Sequence, residues 1–178
     1  MATIAVEQLK EFKGSDLADL CQGTEDAIQD GIGFNWVSPP VREVVESYWK
    51  GVLVVPERTL LVGRLDGNIV ASIQLVRPSK SKETSAFAAV IEGHFVAPWA
   101  RGHGLAKALL EAAEREAAKQ GFSLLKLSVR ATQSKAITLY RESDYIEWGV
   151  LPYHEFVNSS MVAGHYFYKK LKPLSELI

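Results

Sequence analysis

One joint in the chain limits its fold more than any other stretch. Residues 86–96, AFAAVIEGHFV, are near-continuously apolar until Glu92, and residues 104–120, GLAKALLEAAEREAAKQ, put Leu105, Leu109, Ala113 and Ala117 near one helical face. The first pattern predicts a strand and the second an amphipathic helix, with Gly121 as its C-terminal cap. Residues 122–130, FSLLKLSVR, then read as another strand. Strand, helix and strand in that order imply a right-handed crossover between parallel neighbours. The joint itself is R-G-H-G-L-A, residues 101–106, a glycine-rich turn at the start of a helix.

The flanking sequence fits around this unit. SDLADLCQGTEDAIQDG (15–31) spaces Leu17, Leu20, Cys21, Ala27 and Ile28 as a helix, with Ser15 as its cap. GFNWVSPP (33–40) reads as a loop, and Pro39-Pro40 introduce a helix with Val41, Val44, Val45, Tyr48 and Trp49 on its apolar side. TLLVGRLDGNIVASIQLVR (59–77) is two β-rich runs about Asp66-Gly67, a hairpin signal. SKAITLYRESD reads as a short helix, YIEWGVL as a strand and GHYFYKKL (164–171) as the last strand. Hairpins outside the crossover make the sheet mixed. The expectation is a single α/β domain over residues 1–178, with helices flanking the sheet.

Bulk properties narrow the function. Twenty Lys and Arg oppose 21 Asp and Glu, a formal charge of −1, so an anionic ligand must be held locally and no nucleic-acid partner is expected. Cys21 is the only cysteine, which rules out an intramolecular disulfide and argues against a thiolate metal site. No run approaches the roughly 18 apolar residues of a membrane span, and MATIAVEQLKEFKG does not read as a signal peptide. A cytoplasmic protein with no membrane partner and no metal is expected. A homodimer and a monomer are both compatible with the sequence.

The first N–H groups of a helix lack intrahelical acceptors and sit at the positive end of its dipole. Glycines at 102 and 104 let a ligand approach them, and Arg101 adds a forked cation. Such a site suits a phosphate or pyrophosphate. A P-loop does not fit, because GHGLAKAL lacks its spacing and the Ser or Thr after lysine. A dinucleotide fingerprint does not fit either, because Lys107 stands where glycine or alanine is needed.

The stretch V-x-P-x-x-R-G-x-G-x-A, Val96 to Ala106, resembles the acetyl-CoA signature of the GNAT superfamily of N-acetyltransferases, and A-I-T-L-Y (136–140) resembles a second family motif. The resemblance runs from about residue 59 to 171 and is densest over 88–146. It implies a mostly antiparallel mixed sheet with central parallel splayed strands. Helices of about 15–50 would lie on the acceptor side, about 59–146 would form the cofactor-binding core, and about 145–171 would supply C-terminal strands. It also implies that the N–H groups of Gly102, His103, Gly104, Leu105 and Ala106 hold the pyrophosphate of acetyl-CoA, with Arg101 alongside. Backbone groups of Phe95 and Val96 would pair with the pantetheine. His103 reads as a spacer in that loop, and Lys107 as a contact to an adenosine phosphate or a solvated helix lysine. Gln133 replaces the family's cofactor-contacting asparagine, and Asp144-Tyr145 replaces its Gly-Phe, so contacts on that side differ.

Attack on a thioester needs a neutral amine, and an alkylammonium must lose its proton first. Glu92 and His94 interrupt the apolar strand, and period-2 geometry places both on one face, with Glu92 as base and His94 as the second choice. Many relatives carry their base where this chain has Val90, so a water may relay the proton. Tyr140 matches the tyrosine that donates to the leaving sulfur. Phe34 and Trp36 in the loop, and Tyr153 in GVLPYHEFVNSS, are candidates to surround the acceptor amine; Trp36 and Tyr153 read equally as core. The expected activity is direct acetyl transfer to a primary amine of a small molecule. Acetylation of a protein N-terminus or lysine, and a catalytically silent acyl-CoA-binding module, are the alternatives.

Overall fold

The structure, a computed structural model, describes residues 1–32 and 34–172; Gly33 of the predicted loop lies outside them. Its elements run β1 (Ile4–Gln8), α1 (Asp16–Gln29), α2 (Arg42–Val54), β2 (Arg58–Leu65), β3 (Asn68–Val76), β4 (Ala88–Val96), α3 (Leu105–Lys119), β5 (Leu124–Arg130), α4 (Ser134–Glu142), β6 (Ile146–Val157) and β7 (Ser160–Lys170). The strands are hydrogen-bonded in the order β1-β2-β3-β4-β5-β7-β6. The chain makes two compact units, and β4 contributes to both.

The first unit holds residues 1–77 and 91–116. Here β1, β2 and β3 are antiparallel, and the β2–β3 hairpin turns at Asp66-Gly67, where both residues have positive φ (50° and 91°), as the sequence predicts. β1 is not among the predicted strands: four of its five residues are exposed, so no core face marks it, and it is held through its pairing with Leu61–Leu65. Alternation along β2 sends Leu60 and Val62 into a core with Leu20, Ile28, Val45 and Trp49 of α1 and α2. The opposite face, at Gly63, receives Leu105 and Leu109 of α3, so closely that a Cβ on Gly63 would lie 3.0 Å from Leu105. The predicted buried face of α3 is present: Leu105, Leu109, Ala113 and Ala117 are all nearly inaccessible.

Two local expectations are corrected. Ser15 does not cap α1 with its side chain; its hydroxyl donates to Asp19, while the Asp16 carboxylate accepts from the Lys13 N–H and from Arg64. Val41 and Val44 are exposed, and α2 instead packs through Val45, Trp49 and Val52. The Trp49 indole N–H is satisfied by the buried Thr24 hydroxyl at 3.0 Å, fixing α2 against α1.

The second unit holds residues 78–90 and 117–178, of which residues through 172 are described. Ala88–Val90 pair in parallel with Leu124–Lys126, and the ladder stops there although β5 continues to Arg130. β5 pairs antiparallel with β7, and β6 and β7 form a long hairpin turning at Asn158-Ser159. The predicted YIEWGVL strand is therefore only the start of β6, which runs on through Pro152 to Val157 with a register shift between Leu151 and Glu155. Pro is tolerated because β6 is an edge strand.

Candidate active site

Within the first unit, β4 leads through a short turn at Pro98–Ala100 into the glycine-rich loop and α3. Gly102 and Gly104 have φ of 85° and 80°, conformations that L side chains rarely adopt, and a Cβ at either position would meet no other atom within 4 Å. Both therefore border open space. Among the described residues, the N–H groups of Gly102, His103, Gly104, Leu105 and Ala106 donate to no protein acceptor. Five donors at the positive end of a 15-residue helix, with nothing crowding them, fit a diphosphate.

The side chains around this loop have partners of their own. Arg101 pairs with Asp30 at 2.7 Å, so its charge is partly engaged at the end of α1. His103 Nδ1 lies 3.1 Å from the Ala100 carbonyl, a local turn contact. Lys107 is exposed and lies 4.0 Å from Glu111. Phe95 is buried; its ring faces Phe34 at 5.0 Å and stands against Gly23 of α1. Val96 is also buried.

Glu92 and His94 do not share a face, contrary to the alternation expected from the sequence. Gly93 between them has φ 56°, and its carbonyl accepts from the Ser72 hydroxyl. This bulge advances the strand by one residue and reverses the side-chain phase. Glu92 consequently lies on the α2 side, bonded to Arg58 at 2.8 Å, while His94 turns to the α3 side. Arg58 also donates to Gln74 at 2.7 Å, and Gln74 donates to the Tyr48 hydroxyl at 2.8 Å. Gln74 is fully buried, and a Cβ on Gly93 would come within 2.6 Å of its amide nitrogen. The bulge thus makes room for this amide. Burial pushes the Tyr48 phenol up, opposed by its bond to Gln74.

His94 Nε2 lies 2.9 Å from the Ala106 carbonyl, and because a carbonyl only accepts, Nε2 carries the proton. Burial lowers the ring's pKa to about 4, only partly offset by that bond. At neutral pH the ring is a neutral donor tied to the first turn of α3.

The remaining sequence candidates fall unequally. Phe34 is a core residue in contact with Trp49, Tyr48 and Phe95, which leaves little surface for an acceptor. Trp36 is partly buried, its ring edge-to-face with Tyr48 at 5.3 Å. In the second unit Tyr140 is buried against Tyr145 and Phe167, and that burial holds its phenol above the usual range. Gln133 precedes α4, which bears a shallow depression lined by Ser134, Lys135, Thr138, Leu139 and Glu142. Tyr153 is exposed on β6. Arg58 and Gln74 were missed. Arg58 gives no signal in the sequence, but Gln74, a lone amide inside the apolar run ASIQLV, needed a buried partner. Among the described residues no cluster of three or more His, Cys, Asp or Glu is arranged to hold a metal, and no helix is long and apolar enough to cross a membrane.

Comparison with known proteins places this geometry. Residues 23–145 match the sequence model of the acetyltransferase (GNAT) family. An uncharacterized N-acetyltransferase from the hisH-hisA intergenic region of Azospirillum brasilense is 54% identical over 135 residues, covering 76% of this chain and 80% of that protein. An N-acetyltransferase of Staphylococcus aureus Mu50 superposes with a TM-score of 0.79 at 16% identity, over 96% of this chain and 99% of its own. A GNAT superfamily phosphinothricin acetyltransferase of Sinorhizobium meliloti, solved with acetyl-CoA, has a TM-score of 0.76 at 15% identity, over 94% of this chain and 88% of its own.

Proposed function

The chain belongs to the GNAT acetyltransferase family and is an acetyl-CoA-dependent N-acyltransferase, and from that premise we propose that it acetylates a primary amine of a small molecule by direct transfer. The observation that carries the donor half is the row of five unclaimed N–H groups from Gly102 to Ala106. These groups hold the pyrophosphate, and the backbone of Phe95 and Val96 lies along the pantetheine. When bound, acetyl-CoA supplies the thioester carbon that the amine attacks. The small-molecule acceptor is supported by the half-exposed Glu92 bonded to Arg58, which Gln74 links to Tyr48, and the Sinorhizobium meliloti phosphinothricin acetyltransferase shares the fold.

In this scheme Glu92 takes the proton of the acceptor ammonium, directly or through one water. The nitrogen then forms its bond to the acetyl carbon as the carbon–sulfur bond breaks, and the second proton that it sheds on becoming an amide restores the Tyr140 phenol through solvent. Tyr140 gives its proton to the departing thiolate, a role that rests on its place in the A-I-T-L-Y match and on the burial that keeps the phenol protonated. His94 acts as a positioning residue, fixing the first turn of α3 through Ala106. The direct test follows release of free thiol from acetyl-CoA with a panel of small amines, alongside peptides bearing a free N-terminus or lysine. Turnover with small amines is the expected result; turnover confined to peptides would replace this acceptor assignment.

A further inference from the structure

Resting on that acetyl-transfer reading, we propose that the acceptor is an amine that also carries a carboxylate, an amino acid or a close analogue, and that Arg58 binds the carboxylate beside the amine held by Glu92. The two side chains meet through a single pair of atoms, Arg58 Nη1 and one oxygen of Glu92, at 2.8 Å. Arg58 Nη1 is also the atom that donates to Gln74. Among the described residues Nε and Nη2 of Arg58 have no acceptor, and the second oxygen of Glu92 has no donor. The Arg58 side chain is 28% exposed and that of Glu92 47%, so neither is sealed from solvent.

Surface ion pairs are common, but this one has a built foundation. Gln74 is fully buried, braced by the Tyr48 hydroxyl, and accommodated by a bulge at a residue where a Cβ would collide with it. A buried amide held in place to orient one arm of a guanidinium leaves the other arm presented in a fixed direction. The Tyr48 ring that braces Gln74 in turn stands edge-to-face with Trp36. Along the strand, Glu92 lies only three residues before Phe95, at the end where the thioester would sit.

Electrostatics then select the ligand. A plain alkylammonium at Glu92 brings a second cation next to Arg58, and a plain carboxylate at Arg58 brings a second anion next to Glu92. A molecule with both charges close together satisfies each partner and repels neither. Arg58 can also grip a carboxylate with two N–H groups, which fixes the orientation of the amine.

The test compares α-amino acids of varied side chain and short ω-amino acids, each against its own carboxamide, in the wild type, Arg58→Gln and Arg58→Lys. The carboxamide of an α-amino acid is the less basic amine, so intrinsic reactivity favours it, and a preference for the free acid reports binding. The expected wild-type preference for the acid in kcat/KM is about 10- to 100-fold, the scale of a charged hydrogen bond. Arg58→Gln should abolish it by raising the acceptor KM, with the acetyl-CoA KM unchanged, and Arg58→Lys should restore part of it. Equal use of acids and carboxamides by the wild type, or an acid preference that survives Arg58→Gln, overturns the carboxylate site while leaving amine acetylation standing. Thiol release with none of these compounds overturns the proposal; acetylation of amines that lack any carboxylate then separates this failure from failure of the acetyl-transfer reading. Melting curves on each variant exclude misfolding as the cause.

Discussion

His94 joins the bulged strand to the first turn of α3, and its titration makes that joint measurable. Its pKa is about 4 in the folded protein, against roughly 6.5 for an unperturbed histidine. Because the folded value is depressed, the unfolded chain binds the proton more readily between these limits. The stabilisation is therefore complete above about pH 6.5 and is lost as pH falls toward 4. At roughly 1.4 kcal/mol for each tenfold change in proton affinity, that difference sets a ceiling of about 3.5 kcal/mol. The side chain keeps some solvent exposure, so the measured figure should fall somewhat below that ceiling. Other ionisable groups also change charge on the acid limb, and the wild type alone cannot isolate one ring. His94→Gln supplies the reference, because its amide N–H can reach the Ala106 carbonyl but cannot titrate. Urea unfolding of both proteins in half-unit steps from pH 7.5 to 4 should show the wild type losing about 2–3 kcal/mol more than the variant. Curves that stay parallel to within about 0.5 kcal/mol would refute the argument, since the ring would then titrate alike in both states.

Gly104→Glu places a side chain and a negative charge where five N–H groups await an anion; calorimetry should find acetyl-CoA binding abolished in a folded protein, and retained affinity would move the pyrophosphate elsewhere. Glu92→Gln should slow turnover at neutral pH and recover in part at higher pH, where more amine is already neutral; a pH–rate profile that matches the wild type would leave Glu92 only its ion pair with Arg58. Tyr140→Phe keeps the ring against Tyr145 and Phe167, so its melting temperature should hardly move while kcat falls by about 10²–10⁴-fold; near-normal kcat would leave it a packing residue. Asp16→Asn strips a buried carboxylate from Arg64, and chemical denaturation should show a loss of about 3 kcal/mol or more. Arg64 lowers the pKa of Asp16, so the wild type's advantage over Asp16→Asn is present above the ordinary carboxylate range and fades as pH falls through the folded value.

Parts of this molecule were readable from the sequence because their determinants are local. The R-G-H-G-L-A loop is one: two glycines two residues apart at a helix start specify positive φ and accessible N–H groups without help from elsewhere. The Asp66-Gly67 turn and the buried face of α3 are others. What the sequence concealed lies where two distant segments meet. Gln74 and Glu92 lie 16 and 34 residues from Arg58, and nothing in a linear pattern joins the three. β1 takes its order from β2, and the far half of β6 takes it from β7, so neither has a hydrophobic period of its own.

The failure at Glu92 and His94 is more instructive, because the signal was present. A glycine inside an apolar strand run often marks a bulge, and a bulge invalidates counting by twos beyond it. Without the extra residue, both polar side chains would project to the same side. One of them would then be buried without its present partner, or the α3 turn would lose its tie to β4. With it, the strand delivers a neutral donor to the loop helix on one face and a carboxylate to Arg58 on the other. The same residue leaves space for the buried amide that orients Arg58. Any side chain at Gly93 must therefore disturb Gln74 first, and through it the Arg58–Glu92 pair, although position 93 itself carries no chemistry.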